Sequence, residues 1–285
     1  MNDIVSTEWL AGELGKPDLV ALDCSLILPG ETGNKREAFA AARIPGARYF
    51  DIDLFADPDT DLPHMVPTPA RFAKLAGALG ISNESRVVFY DHAQGLRAAA
   101  RGWWLMRLMG HEAAFVLDGG LPKWQREGRP VESGEPPAPP AAHFVADFRT
   151  DRLRGIGDMK RIIRQGGGEA LILDARAAGR FDGTAPEPRP GLPSGHMPGA
   201  ANIPFTDLLA PDGTMLPPDA LRARFERAGV DAERPVILSC GSGVTACVLA
   251  LGLVRAGLPE GSVYDGSWTE WALRPETPKT TKEQA

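Results

Sequence analysis

The chain has little cysteine: three residues in 285, at positions 24, 240 and 247, with no C-x-x-C pair. So few, odd in number and scattered, they exclude a disulfide scaffold and a thiolate zinc site, and they fit a reducing compartment. An excess of basic charge is also missing. The formal net charge is -6, which argues against a nucleic acid or an anionic membrane as partner. The N-terminus, Met1-Asn2-Asp3-Ile4, shows no basic region followed by an apolar stretch, so no secretory signal is read there and the cytoplasm is the expected location. There is no unbroken apolar run long enough for a membrane span. The nearest is Val236 to Val254, nineteen residues without a charge. Its middle is Ser-Cys-Gly-Ser-Gly, which breaks a helix and divides the run into strand, turn and helix. What the chain does have is 43% hydrophobic residues, enough to build one large domain or two ordinary ones.

That broken run is the most informative stretch. Val236-Ile237-Leu238-Ser239 leads into Cys240, followed by Gly241-Ser242-Gly243-Val244-Thr245-Ala246. A cysteine on a tight turn between a buried strand and a helix N-terminus meets backbone N–H groups and partial positive charge. A free thiol titrates near ~8.5, so a thiolate at neutral pH needs about 2–3 kcal/mol of differential stabilisation. A helix end supplies ~0.3–1 kcal/mol, up to ~2, and hydrogen bonds to a charged acceptor about 1.5–3 kcal/mol. The loop therefore suffices without a basic side chain, and it contains none. It is not a phosphate-binding P-loop, because Val244 stands where a Lys is needed. A cysteine phosphatase needs an Arg to close the loop, and the residue six beyond Cys240 is Ala246.

The two halves of the chain repeat each other. Val20-Ala21-Leu22-Asp23 matches Leu171-Ile172-Leu173-Asp174, and Ile44-Pro45-Gly46-Ala47 matches Met197-Pro198-Gly199-Ala200. Val87-Val88-Phe89-Tyr90-Asp91 matches Val236-Ile237-Leu238-Ser239-Cys240, and Asp118-Gly119-Gly120 with Trp124 matches Asp265-Gly266-Ser267 with Trp271. The offset between partners drifts slowly, as small insertions require, so the chain is a duplicated domain. Asp91 takes the place of Cys240, which leaves the first half without a nucleophile. Periodicity predicts strands at 19–23, 47–50, 87–91 and 114–117, then 170–174, 236–240 and 262–264. Helices are predicted at 69–79, 97–109 and 121–127, then 157–165, 219–228 and 244–256. This alternation gives an α/β fold, with a mostly parallel sheet flanked by helices in each half. The expected division is residues 1–130, a proline-rich linker at 131–150 that reads as stiff and extended, and residues 151–285. The polar tail Pro275 to Ala285 reads as frayed. Cys24 and Cys247 read as core, and His196 as structural.

Taken together, the repeat, the Cys240 loop, Gly195-His196-Met197-Pro198-Gly199-Ala200, Trp103-Trp104, Gly119-Gly120 with Trp124, and Tyr264-Asp265-Gly266-Ser267-Trp268 resemble the two-domain rhodanese-type sulfurtransferases over nearly the whole chain. The tryptophan-rich segments are expected to pack between the domains. The neutral Gly241-Ser242 loop is similar to the 3-mercaptopyruvate branch, whereas thiosulfate-using members carry basic residues there. The resemblance implies Cys240 as nucleophile and persulfide carrier, with the loop from Gly241 through Gly243, Val244 and Thr245 cradling the sulfur. Arg180 and Arg189 match the family's substrate arginines, which would hold a carboxylate and an adjacent ketone. Asp53 and His64 match a serine-protease-like relay acting with Ser242. Neither metal nor organic cofactor is required for such chemistry. The partners implied are a small-molecule sulfur donor and an acceptor that is cyanide, a small thiol or a thioredoxin-like protein. Two other functions fit the same sequence less well. One is a thiosulfate:cyanide sulfurtransferase, and the other a non-catalytic or oxidant-sensing module built on Cys240.

Overall fold

A computed structural model describes residues 3–93, 96–231 and 233–284. Met1 and Asn2 of the N-terminal reading, and Ala285 of the tail, lie outside the described residues. The chain forms two compact units. One comprises Met1–Asp59, Val66–Arg149 and Ala210–Met215, the other Thr60–Met65, Thr150–Leu209 and Leu216–Ala285.

The first unit holds a five-stranded parallel sheet of β1 (Ile4–Val5), β2 (Leu19–Asp23), β3 (Arg48–Tyr49), β4 (Arg86–Tyr90) and β5 (Ala114–Leu117), in the order β1-β5-β4-β2-β3. Its helices are α1 (Thr7–Glu13), α2 (Lys35–Ala41), α3 (Ile52–Phe55), α4 (Pro69–Ala78), α5 (Arg97–Leu108) and α6 (Gly120–Arg126). The second unit repeats the plan with β6 (Leu153–Arg154), β7 (Leu171–Asp174), β8 (Ala201–Asn202), β9 (Val236–Ser239) and β10 (Ser262–Tyr264), in the order β6-β10-β9-β7-β8, again all parallel. Its helices are α7 (Ile156–Arg164), α8 (Ala178–Asp182), α9 (Pro218–Arg227), α10 (Ala246–Arg255) and α11 (Ser267–Leu273). The identical strand order is the structural form of the sequence repeat.

The central strands read as continuous apolar runs because helices cover both faces of the sheet. Residues 236–239 are buried throughout, and so are 246–253 of α10, which follows β9 in sequence. Strand edges sit one residue earlier than the periodicity predicts: β4 stops at Tyr90 and β9 at Ser239. Asp91 and Cys240 therefore stand on the loops and not in the ladder.

Three of the tryptophans, Trp124, Trp268 and Trp271, correct one expectation. Trp124 belongs to the apolar core of the first unit, with Leu10, Ile44 and Tyr90. Trp268 and Trp271 belong to that of the second, with Met159, Met197 and Tyr264. Their indole N–H groups find backbone carbonyls nearby, Trp124 at Pro130, Trp268 at Pro193 and Trp271 at Pro278, as a buried indole requires. The tail is not frayed either. His196 and Thr280 exchange backbone hydrogen bonds, and the buried Thr277 hydroxyl donates to the Trp271 carbonyl. The proline-rich stretch is extended but strapped to the first unit. Glu132 pairs with Arg43, the Ala142 amide donates to Gly77, and Phe144 is buried against the ring of Phe72.

Candidate active site

Cys240 follows β9 directly and is only 2% exposed. Its loop is held from one side by the start of α11. The amides of Cys240 and Gly243 both donate to Ser267 Oγ, at 3.1 Å each, and Ser267 Oγ donates to the Tyr264 carbonyl at 2.8 Å. Trp268 N donates to the Cys240 carbonyl and Thr269 N to that of Gly241, both at 2.9 Å, with Thr269 Oγ1 reaching the Gly241 oxygen at 2.6 Å. Gly243 sits at φ 76°, a left-handed turn that glycine accepts without strain. Among the described residues, the amides of Gly241, Ser242, Val244 and Thr245 have no protein acceptor. The Gly243 amide does have one, Ser267 Oγ, so this glycine shapes the loop and is not one of its open donors. Thr245, the residue before α10, makes no side-chain capping bond, so the helix N-terminus is left open at the loop.

Ser267 was not singled out in the sequence, yet it is the residue that clasps the loop. It adopts φ 50°, a left-handed conformation costly for a side chain that is not glycine. Its counterpart in the repeat is Gly120, at φ 56°. There the Leu121 amide donates to the Asp91 carbonyl at 3.0 Å, just as Trp268 does to Cys240. The backbone turn is common to both units, and only the one with the cysteine places a hydroxyl in it. Comparison of Asp118-Gly119-Gly120 with Asp265-Gly266-Ser267 carries that signal in the sequence.

Ser242 is buried, and its Oγ lies 3.0 Å from His64 Nδ1, the histidine belonging to the Thr60–Met65 segment of the same compact unit. Ser242 thus serves His64 and does not cap α10. Asp53 lies on α3 of the first unit, where it takes a hydrogen bond from Lys35 Nζ at 2.5 Å. Asp51, the N-cap of α3, shares that lysine at 2.8 Å.

Arg180, on α8, lies against the loop: a Cβ on Gly241 would stand 3.1 Å from its Nη2. Its Nε and Nη2 form a fork to Glu187, at 3.1 and 2.6 Å. Glu187 also accepts from Arg176 Nη1 at 2.8 Å, and Arg176 in turn grips Asp174 through Nε and Nη2. The side chains of Asp174 and Arg176 are fully buried and that of Glu187 nearly so. Burial opposes the charge on Arg176, but Asp174 and Glu187 outweigh it and hold its pKa above the ordinary value. Arg189 is different. Burial pulls its pKa down, the nearby Cys240 works in the opposite direction, Arg180 adds to the lowering, and the Glu187 carboxylate offsets part of it. Among the described residues no carboxylate pairs with it. Sequence reading found both outer arginines but missed Arg176 and Glu187, which form the ion-pair chain behind them.

The remaining cysteines are core residues. Cys24 is fully buried, and burial, then the carboxylates of Asp91 and Asp23, push its thiol far above the ordinary range. Cys247 is buried on α10 with Sγ 3.3 Å from the Gly243 carbonyl. His196 stacks on Phe181, ring centres 3.9 Å apart, and its Nδ1–H donates to the Phe181 carbonyl, a structural role.

A cysteine loop of this kind, at the carboxyl end of a central strand in one of two repeated parallel α/β units, defines a class. The rhodanese-like domain model matches residues 6–127 and 158–274, and the chain belongs to that family. It is 42% identical to the 3-mercaptopyruvate sulfurtransferase of Homo sapiens, over 95% of this chain and 92% of that one. It is also 42% identical to the thiosulfate sulfurtransferase of Mus musculus, over 96% and 94%. Among solved structures, SseA from Escherichia coli, described with the fold and mechanism of 3-mercaptopyruvate sulfotransferases, superposes with a TM-score of 0.84 at 35% identity, covering 94% of this chain and 99% of that one. Among the described residues, no helix is long and apolar enough to cross a membrane.

Proposed function

We propose that the protein is a 3-mercaptopyruvate sulfurtransferase working through a Cys240 persulfide. The Cys240 thiolate attacks the donor sulfur. The carbon–sulfur bond breaks and its electrons pass into the pyruvate enolate, which takes up a proton and leaves as pyruvate. The outer sulfur stays on Cys240 until a second thiol or cyanide removes it, giving ping-pong kinetics. The unpartnered amides of Gly241, Ser242, Val244 and Thr245 are suited to holding that sulfur. Arg180 and Arg189 hold the donor's carboxylate and ketone and stabilise charge developing on the enolate. His64 and Ser242 handle the proton. The resemblance gives Asp53 the part of orienting His64.

One observation carries the reading: a buried cysteine on an open amide loop, with one arginine against that loop and a second within its electrostatic reach that forms no ion pair among the described residues. Overall identity does not separate the two donors, because human and mouse relatives named for different donors are equally similar. The choice rests on the site. The loop carries no basic side chain to meet a compact dianion, while the cations stand on α8 and the segment after it, where a carboxylate a few bonds from the sulfur would lie. The acceptor is a small thiol, a thioredoxin-like protein or cyanide, and the expected compartment is the cytoplasm. Cys240→Ser is expected to abolish pyruvate release from 3-mercaptopyruvate while leaving the thermal melt unchanged. Turnover retained in that variant, or wild-type kcat/KM for thiosulfate equal to or above that for 3-mercaptopyruvate, would overturn the assignment.

A further inference from the structure

Three guanidinium groups, on Arg176, Arg180 and Arg189, and two carboxylates, on Asp174 and Glu187, gather in the second unit beside the Cys240 loop. Arg176 and Arg180 pair with the carboxylates, and Arg189 feels Glu187 only through space. Asp174 is used up by Arg176, and both groups are fully buried. Glu187 is the branch point. One oxygen takes Arg176 Nη1 and Arg180 Nε, the other takes Arg180 Nη2, and its side chain is only 2% exposed. Such a carboxylate is poorly screened by solvent, and only the Arg180 guanidinium that it grips is shown against the loop. Over these five groups the result is one net positive charge, and Arg189 is the arginine without an ion pair among the described residues.

We propose that Glu187 is the specificity-determining residue of the donor site. By cancelling the charge of Arg180 while fixing its position against Gly241, it matches the site to a donor carrying a single carboxylate and leaves it one charge short for a dianion such as thiosulfate. The inference rests on the sulfurtransferase reading and deepens it. Arg180 then acts mainly through shape and its remaining N–H donors, and Arg189 supplies the charge.

The test compares Glu187→Gln and Arg180→Gln with wild type, measuring kcat/KM for 3-mercaptopyruvate and for thiosulfate. The quantity read is the ratio of thiosulfate to mercaptopyruvate use. Glu187→Gln keeps a hydrogen-bonding oxygen and adds one net positive charge, so the ratio is expected to rise by about tenfold or more. Arg180→Gln removes a positive charge and leaves the Arg176–Glu187 pair, so the ratio is expected to fall. A Glu187 that merely props Arg180 in place would move the ratio the same way in both variants, and that result overturns the proposal. An unchanged ratio in a folded Glu187→Gln protein overturns it too. Should Glu187→Gln fail to fold, a ratio in Arg180→Gln that is unchanged or raised overturns it, and a fall supports it. Wild type that transfers sulfur from neither donor marks failure of the sulfurtransferase reading itself, and is seen before any variant is made.

Discussion

Ser267 shows how one side chain separates a working loop from its silent copy. Its hydroxyl collects the amides of Cys240 and Gly243, and its backbone stands at φ 50° to do so. Gly120 takes the same turn without a hydroxyl and without strain. A left-handed residue with a side chain costs roughly 1–2 kcal/mol relative to glycine. Ser267→Gly is therefore expected to be more stable than Ser267→Ala by about 1 kcal/mol in urea melts. Both variants are expected to lose about tenfold or more in sulfur transfer, since two hydrogen bonds that position the loop are gone. Wild-type turnover in either would show that the clasp is only structural. At this scale the sequence was partly legible. Cys240, Arg180 and Arg189 stand in local patterns that a chain read end to end displays. Glu187 and Arg176 do not, because an ion pair reaching seven or eleven positions along an irregular segment leaves no period to read.

The helices that follow the two central strands differ in how their N-termini are satisfied. In α5 the carboxylate of Asp91 accepts from the amides of Ala98 and Ala99, at 2.9 and 3.1 Å. In α10 the corresponding amides of Cys247 and Val248 turn back to the carbonyls of Val244 and Thr245, at 3.2 and 3.1 Å, and no side chain plugs the end. One helix carries its own anion, and the other is open to a sulfur. The resident anion has a cost. Asp91 is buried, and among the described residues its Oδ1 has no hydrogen-bond partner. Burial pushes its pKa up to about 6 from the ordinary 3.8, against the pull of the Ala99 and Ala98 amides and the Arg97 charge. A carboxyl whose pKa is raised on folding favours the fold below its unfolded value, and that contribution is lost as pH climbs through about 6. Asp91→Asn keeps the acceptor and removes the charge. Its stability is expected to exceed wild type by about 2–3 kcal/mol at pH 8, with the gap closing toward pH 4. A gap in urea melts that does not change with pH would contradict this. Short elements were the ones sequence reading missed. The strands β1, β6 and β8 have two residues each, too few to show alternation, and α11 begins at a left-handed serine that no helix signal marks.

The duplication was legible in the sequence because four matched segments keep nearly constant spacing, and both sheets then adopt one strand order. Less legible was which short stretches join which compact unit. Thr60–Met65 groups with the second and Ala210–Met215 with the first, which is how His64 comes to lie beside Ser242 despite a separation of 178 positions in sequence. Contacts of that range depend on the finished fold and leave no local trace. The tail's order and the anchoring of the proline-rich stretch escape the sequence for a similar reason. Polarity and proline exclude helix, but they do not exclude being strapped down by backbone hydrogen bonds, as Thr280 and Ala142 are. On the proposed function the whole molecule comes down to one nucleophile in one of two similar units. The most direct measurement is the intact mass of the reduced protein before and after 3-mercaptopyruvate, with thiosulfate in parallel and the modified peptide mapped. One added sulfur on Cys240, with pyruvate released in equal amount, is the expected result. No added sulfur, or sulfur on Cys24 or Cys247 instead, would contradict it.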